Sequence, residues 1–507
     1  MKYDSHFFFN TMKRTFIRTT GVGLLVGFLL ASPALASIKL PNVLTSNMVF
    51  QRNVPVAVWG SAEPGQRVLV TFDTQQQTAV AATDGRWHVQ LTPMDASFIP
   101  RNLHISTDDA DTVLTNILVG EVWLCGGQSN MEYPMDRRLK KYAAPARGAD
   151  LSEAEWRKGG NAHIRLLRIE KVNSLPDCTT KGWTTCVDST LAPFSAVGYY
   201  FGNVLQEALD VPVGLISSNW GGSRIERWTP VSAYEQSPVF AQEANAKPVR
   251  IDNIDPGLHY NSMIAPLAPY TLRGFIWYQG ESNVMFHDAR YVEKTQLMLD
   301  AWRQAFNRPD APFYYVQVAP YAYTKRKDKM AHTPQTMAEF CALQTACLAL
   351  PHTGQVVVTD LVDRLEDIHP SYKWEVGRRL ALWALAKTYQ QAEVVYAGPM
   401  VTAMTVKKGR ALLTFEQLGG GLTAGRHHPA TNVFEAVSEP LTWFEVAGKD
   451  GVFYQASAVI KDNQVEVSSP AVKRPVTVRF AWNEAAMPNL FNKAGLPAVP
   501  GKWTVTN

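Results

Sequence analysis

The sequence predicts an α/β protein: a parallel sheet covered by helices over residues 118–395, flanked by all-β modules over 37–117 and 396–507. Three observations carry this. In the middle of the chain, buried-type strands (EVWLC, HIRLLRI, VPVGLISS, RGFIWYQ, PFYYVQV, QVVVTD) alternate with helical patterns such as APFSAVGYYFGNVLQEAL, HDARYVEKTQLMLDAWRQAF and HPSYKWEVGRRLALWALAKTY, the sign of a parallel sheet with helices on both faces. At both ends the texture changes to short alternating strands between Gly, Pro and Asp turns, which reads as β-sandwich. Finally, 507 residues exceed one compact core, and 46% apolar with 11% aromatic residues suffices for two to four domains.

Taken in order, residues 1–36 read as an address. Lys13, Arg14 and Arg18 precede the apolar run GVGLLVGFLLA, and Ala34-Leu35-Ala36 supplies a small-x-small cleavage site, so cleavage after Ala36 and a periplasmic or secreted protein are expected. The apolar run is shorter than the roughly 20 residues that span a bilayer, so no membrane association is expected after cleavage. The residues before Met12 carry an acidic group and three consecutive Phe, which suits a start at Met12 better than a working leader. From Ile38 to Asn116, strands such as QRVLVTFD and NLHIST form the first β module; MTVKKGRALLTF, WFEVAG, QVEVSS and VTVRFAW form the last. Its GGGLTAG stretch leads into no helix and reads as a loop rather than a phosphate cradle.

Lys and Arg number 49 against 45 Asp and Glu, a net +4 with no basic block, which calls for neither nucleic acid nor an anionic membrane; a neutral substrate fits. Cys178 and Cys186 flank TTKGWTT and are expected to close a hairpin disulfide. Cys341 and Cys347 lie on one helix about 9 Å apart along its axis, which argues against a bridge. Cys125 ends a strand and reads as a small buried residue. No CxxC, HExxH or other ligand cluster appears, so no metal and no cofactor is implied, and His427-His428 reads as a solvated loop.

In a parallel sheet, ligands gather at the carboxyl ends of the strands. Ser129 follows EVWLC; Gly221-Gly222-Ser223 follows VPVGLISSNW; Gln279 to Asn283 follow RGFIWY; and Asp360, Asp363, Glu366, Asp367 and His369 follow QVVVTD. A serine placed by a strand-to-loop turn is poised as a nucleophile, His369 is its candidate base, and a carboxylate is needed to hold the ring. Oxyanion donors are available from the Ser129 and Gly222 N–H groups and from a side-chain amide, either Gln279 or Asn283.

GQSNM, ISSNWGGS, NSMIAPL, IWYQGESN and DIHPSYKWEVGRRLALWA together resemble the sialate O-acetylesterase family within the SGNH/GDSL hydrolases, as do NMVFQRNVPVAVWGSAEPGQ and VRFAWNEAAMPNLFNKAGLP in the flanking modules. The resemblance implies a flavodoxin-like SGNH core, with Ser129 as nucleophile, His369 as base, and Gly222 and Gln279 as oxyanion donors; Asn283 is the second choice. Many SGNH members place the acid three residues before the His, where this chain has Glu366. Asp367 fits the DIHP form and is the choice made here, with Glu366 and Asp360 as alternatives. Trp220 and Arg224 are candidate substrate contacts, the latter for a sugar carboxylate, against the plainer reading that Arg224 pairs with Glu226. The implied activity is hydrolysis of O-acetyl esters on an acetylated carbohydrate through an acyl-enzyme. Alternatives are an acetylxylan or xyloglucan acetylesterase and, from another class, a non-catalytic carbohydrate-binding protein.

Overall fold

Six strands of the middle region pair in parallel: β1 (Asp111–Gly127), β2 (Ile164–Arg168), β3 (Val213–Asn219), β4 (Gly274–Tyr278), β5 (Phe313–Val316) and β6 (Thr353–Val356). The computed structural model describes residues 38–505 except 174–176, 328–329, 429–430 and 432; the expected leader lies outside them. The strand order is β6-β5-β4-β1-β3-β2, with the two-residue strand Thr184–Thr185 antiparallel on the β2 edge. Strands β3 and β4 are buried at every residue, because helices cover both faces and alternation is lost.

The period of two still sorts the side chains. Leu124, Phe275 and Trp277 face a core shared with the helices Tyr291–Ala305 and Thr336–Ala346. Trp123, Cys125, Ile276 and Tyr278 face the other side, against Ala196–Leu209 and Lys373–Trp383. The chain leaves β1 on one side to build β2 and β3 and returns to the other for β4. The order therefore reverses at β1, and a crevice opens beyond its carboxyl end.

β1 is 17 residues long and belongs to two modules. Its first half pairs antiparallel with Ser97–Ser106, and from Glu121 it runs parallel to β3. The boundary expected after residue 117 thus falls inside one continuous strand. The N-terminal module sets Arg67–Phe72, with Val68, Val70 and Phe72 buried, over the antiparallel pair of Val56–Ser61 and Arg86–Leu91, whose Trp87, Val89 and Leu91 point inward. After residue 396 every described strand pairing is antiparallel, in three small sheets around one core.

Two expectations are corrected here. Cys178 and Cys186 are both free, because they face different cores: Cys178 packs with Trp183 and Cys186 with Leu191 on the opposite side of the sheet. His427 is not in a solvated loop: it lies on the strand Leu422–His428, 3% exposed, against Asp360 and Glu375. Its neighbour His428 is the exposed one. Among the described residues no helix is long and apolar enough to cross a membrane.

Candidate active site

β1 ends on Gly127, whose φ of 143° and tight approach to β4 exclude a side chain: a Cβ there would lie 2.2 Å from the Tyr278 carbonyl oxygen. The Gln128 N–H donates to that oxygen at 3.0 Å, and Ser129 opens a single helical turn, Ser129–Glu132. Ser129 Oγ stands 2.9 Å from His369 Nε2, so residues 240 apart in sequence form the hydrogen bond a nucleophile and its base require.

His369 sits in the loop that follows β6. Burial lowers its pKa to about 4, the Lys373 charge adding in the same direction and Glu132 opposing, so the ring is neutral and can accept a proton at ordinary pH. Tyr142 lies against the ring at 4.5 Å and stacks in turn on Tyr133. Of the three candidate acids, only Asp367 approaches: its Oδ1 accepts the His369 backbone N–H at 2.9 Å and lies 3.8 Å from Nδ1. That separation is an ion-pair distance rather than a hydrogen bond. Glu366 turns outward to Lys325 at 2.7 Å, and Asp360 makes a two-pronged pair with Arg379 at 2.7 and 2.8 Å.

Gly221 brings the next loop against Ser129, since a Cβ at that position would sit 3.3 Å from Ser129 Cβ. Its N–H donates to Glu132 Oε2 at 2.8 Å, which anchors the loop. The Ser129 and Gly222 N–H groups have no acceptor among the described residues and remain available to an oxyanion.

The side-chain amides are arranged differently from expectation. Gln279 Nε2 spends both hydrogens, on Ser223 O at 3.1 Å and Asn283 Oδ1 at 2.7 Å. Asn283 Nδ2 spends its own on Asp288 Oδ2 at 2.7 Å and Glu226 Oε2 at 3.4 Å. Neither has a donor left for an oxyanion; both brace the loop beneath it. Arg224 is likewise withdrawn: it is 5% exposed, paired with Glu226, and lies under the Phe286 ring, so it cannot meet a substrate carboxylate. Trp220 stays partly exposed and stacks on His259 at 4.5 Å.

Glu226, Asp252 and Asp288 are, among the described residues, the one group of ligand-type side chains close enough to hold a metal ion. A lysine already occupies the centre. Lys294 Nζ donates to Glu226 and Asp288 at 2.8 Å each and to Asp252, so the ammonium supplies the positive charge itself.

Sequence reasoning gave no role to Glu132, Tyr142, Asn130, Glu281 or Lys373, although Asn130 and Glu281 stand in its strand-end groups. Asn130, Glu281 and Lys373 lie inside the quoted motifs GQSNM, YQGES and HPSYK, and that company was the available signal. Tyr142, in KKYAAPARG, carried none. A cavity of about 160 Å³ is lined by Glu132, Lys140, Arg168, Glu170, Lys171 and Asn219, with neither Ser129 nor His369 in its wall.

Residues 187–385 match the family model described as carbohydrate esterase, sialic acid-specific acetylesterase. The sialate O-acetylesterase of Homo sapiens is 28% identical over 437 residues, covering 78% of this chain and 80% of that protein; the Mus musculus enzyme is 27% identical over 461 residues, covering 78% and 82%. A crystal structure of a carbohydrate acetylesterase from Xanthomonas citri superposes with a TM-score of 0.78 at 32% identity, over 93% of this chain and 100% of that one. The expected fold, a parallel SGNH-type core with flanking β modules, therefore holds for this chain, and the reading as a non-catalytic binding protein falls away. With the serine and histidine joined at the strand ends and a likeness that spans almost the whole molecule, the chain belongs to the sialate O-acetylesterase family of carbohydrate esterases and is a carboxylic ester hydrolase.

Proposed function

We propose that the chain is an exported serine esterase that removes acetyl groups from carbohydrates through an acetyl-enzyme. The observation that carries this is the 2.9 Å contact between Ser129 Oγ and a half-buried, neutral His369, beside two uncommitted backbone donors. In the first half-reaction Ser129 Oγ attacks the acetyl carbonyl while its proton passes to His369 Nε2. The oxyanion is received by the Ser129 and Gly222 N–H groups. His369 then returns the proton to the sugar oxygen as the C–O bond breaks, leaving the acetyl group on Ser129. Water, deprotonated by His369, attacks this ester; acetate leaves and Ser129 regains its proton. Asp367 steadies the loop through the His369 N–H and faces the imidazolium as it forms.

An O-acetylated sialate is the preferred substrate, supported by the relatives' names. Burial of Arg224 removes the carboxylate partner expected from sequence, which keeps neutral acetylated xylan or xyloglucan as the second reading. Acetate release from 9-O-acetyl sialic acid, acetylated xylan and a chromogenic acetate, compared side by side, tests both. Activity on the chromogenic ester alone sinks the carbohydrate assignment. An N-terminus at Ser37 in protein recovered outside the cytoplasm tests export.

A further inference from the structure

Three fully buried polar side chains close to the nucleophile have no part in the steps above. Asn130, Glu281 and Lys373 come from the three segments that meet at the site: the Ser129 turn, the turn after β4 and the start of the helix behind the His369 loop. Lys373 Nζ donates to Asn130 Oδ1 at 2.6 Å. Asn130 Nδ2 donates to the Ile368 carbonyl at 3.0 Å and to Glu281 Oε1. The amide of Asn130 is thereby saturated, and each of its bonds ends on a different segment. The ammonium lies over the rings of Tyr133 and Tyr278 at 5.0 and 5.1 Å and reaches Glu281 only through the amide. Burying two charges without direct contact is costly, and hydrophobic residues would fill such a space more cheaply.

We infer that Lys373, Asn130 and Glu281 form a positioning array for the esterase reaction, one that fixes Ser129 against the His369 loop and keeps the His369 ring in its proton-accepting form. This rests on the roles proposed for Ser129 and His369. The register part follows from the bonds: Ile368 precedes His369, Asn130 follows Ser129, and one amide joins them. The electrostatic part follows from placement. The charged groups facing the His369 ring are Lys373, Asp367 and Glu132, with Tyr142 and Ser129 as its uncharged neighbours. Burial opposes a proton on the ring most, and of these charges Lys373 alone adds to it. Burial lowers the Lys373 pKa to about 7, so the lysine still carries its charge near pH 4, where His369 takes up its proton. Burial raises the Glu281 pKa, with Asn130 and Lys373 acting against it.

The test uses the full chain carrying Lys373→Met, Asn130→Asp or Ser129→Ala, with a chromogenic acetate as probe and the thermal transition as a check on folding. Lys373→Met should move the acid limb of kcat/KM upward by at least about half a pH unit, since a nearby cation that disfavoured the imidazolium is gone. It should also lower kcat about tenfold or more with KM within about twofold, as expected for lost alignment. Asn130→Asp keeps the shape, places a carboxylate against Lys373 and breaks the bond to Ile368, so it should move the limb the same way. A cooperatively melting Lys373→Met protein with the limb and kcat of the parent overturns the inference. If Lys373→Met does not melt cooperatively, an unmoved limb in Asn130→Asp overturns it instead. Activity retained by Ser129→Ala would sink the underlying site; an inactive Ser129→Ala beside an unmoved limb sinks only the array.

Discussion

Ser129 touches His369 and little else that holds the fold, so Ser129→Ala should cut acetyl ester hydrolysis by several orders of magnitude while leaving the thermal transition in place. Near-parental turnover in that variant would remove the serine from the chemistry. The acid limb of kcat/KM reports the free enzyme's base, which must be neutral; with His369 lowered to about 4, activity should persist down to about pH 4 and fall only below it, well under the ordinary histidine range. A limb near 6.5 would show that the ring is better hydrated than its surroundings here indicate. Asp367→Asn should lower the rate and shift the limb slightly further down, because a carboxylate 3.8 Å away favours the charged ring only modestly; Glu366→Gln, out on the surface with Lys325, should do neither. The meeting of Ser129 and His369, with Gly222 and Asp367 near them, was legible as a matter of placement because all four fall where strands end, and strand ends can be read from periodicity. Gln279, Asn283 and Arg224 were not: what an amide or guanidinium does depends on Ser223, Glu226 and Asp288, which folding brings to it and no spacing reveals.

Among the elements, the six parallel strands and four long helices were legible from apolar runs and helical periodicity, whereas the reach of β1 was not, since its polar first half and apolar second half look like separate strands. Gly120 lies in the middle of that strand, and a Cβ there would stand 1.9 Å from the Pro212 carbonyl oxygen. Gly120→Ala should therefore destabilise the chain by roughly 1–3 kcal/mol, read as a lower urea midpoint. Asp360 ties the strand-end segment to the helix Lys373–Trp383 through Arg379, both buried, with His427 of the last module beside them. Asp360→Asn leaves that guanidinium under-paired and should cost on the order of 3–5 kcal/mol while the acid limb stays where it was. A limb that moves would return Asp360 to the list of acids acting on His369. The missed cysteine geometry belongs at this scale too: TTKGWTT does reverse direction, but Cys178 and Cys186 leave it toward opposite faces of the sheet.

For the molecule as a whole, His259, His369 and His427 are all held below the ordinary histidine pKa by burial, the first two at about 3 and about 4. The unfolded chain takes up those protons near pH 6.5 and the folded chain does not, so the stability these three histidines contribute is complete above that value and is lost as pH falls toward 4. Glu375 deepens the decline at lower pH: burial would raise it, yet Arg379 and Arg378 hold it at about 2. Glu281 acts in the opposite sense. A urea midpoint that rose between pH 6.5 and 4.5 would contradict this balance. Because Lys294 supplies the cation at the one carboxylate trio, EDTA should leave activity unchanged, and recovery by an added divalent ion after chelation would contradict that reading. The strand that leads to Ser129 starts out among the antiparallel strands of the N-terminal module and finishes two residues before that serine. A recombination event that exchanged the first module for another would have to cut through its middle. The two parts are accordingly expected to be inherited together, to melt as a single calorimetric peak, and to resist being traded as interchangeable cassettes.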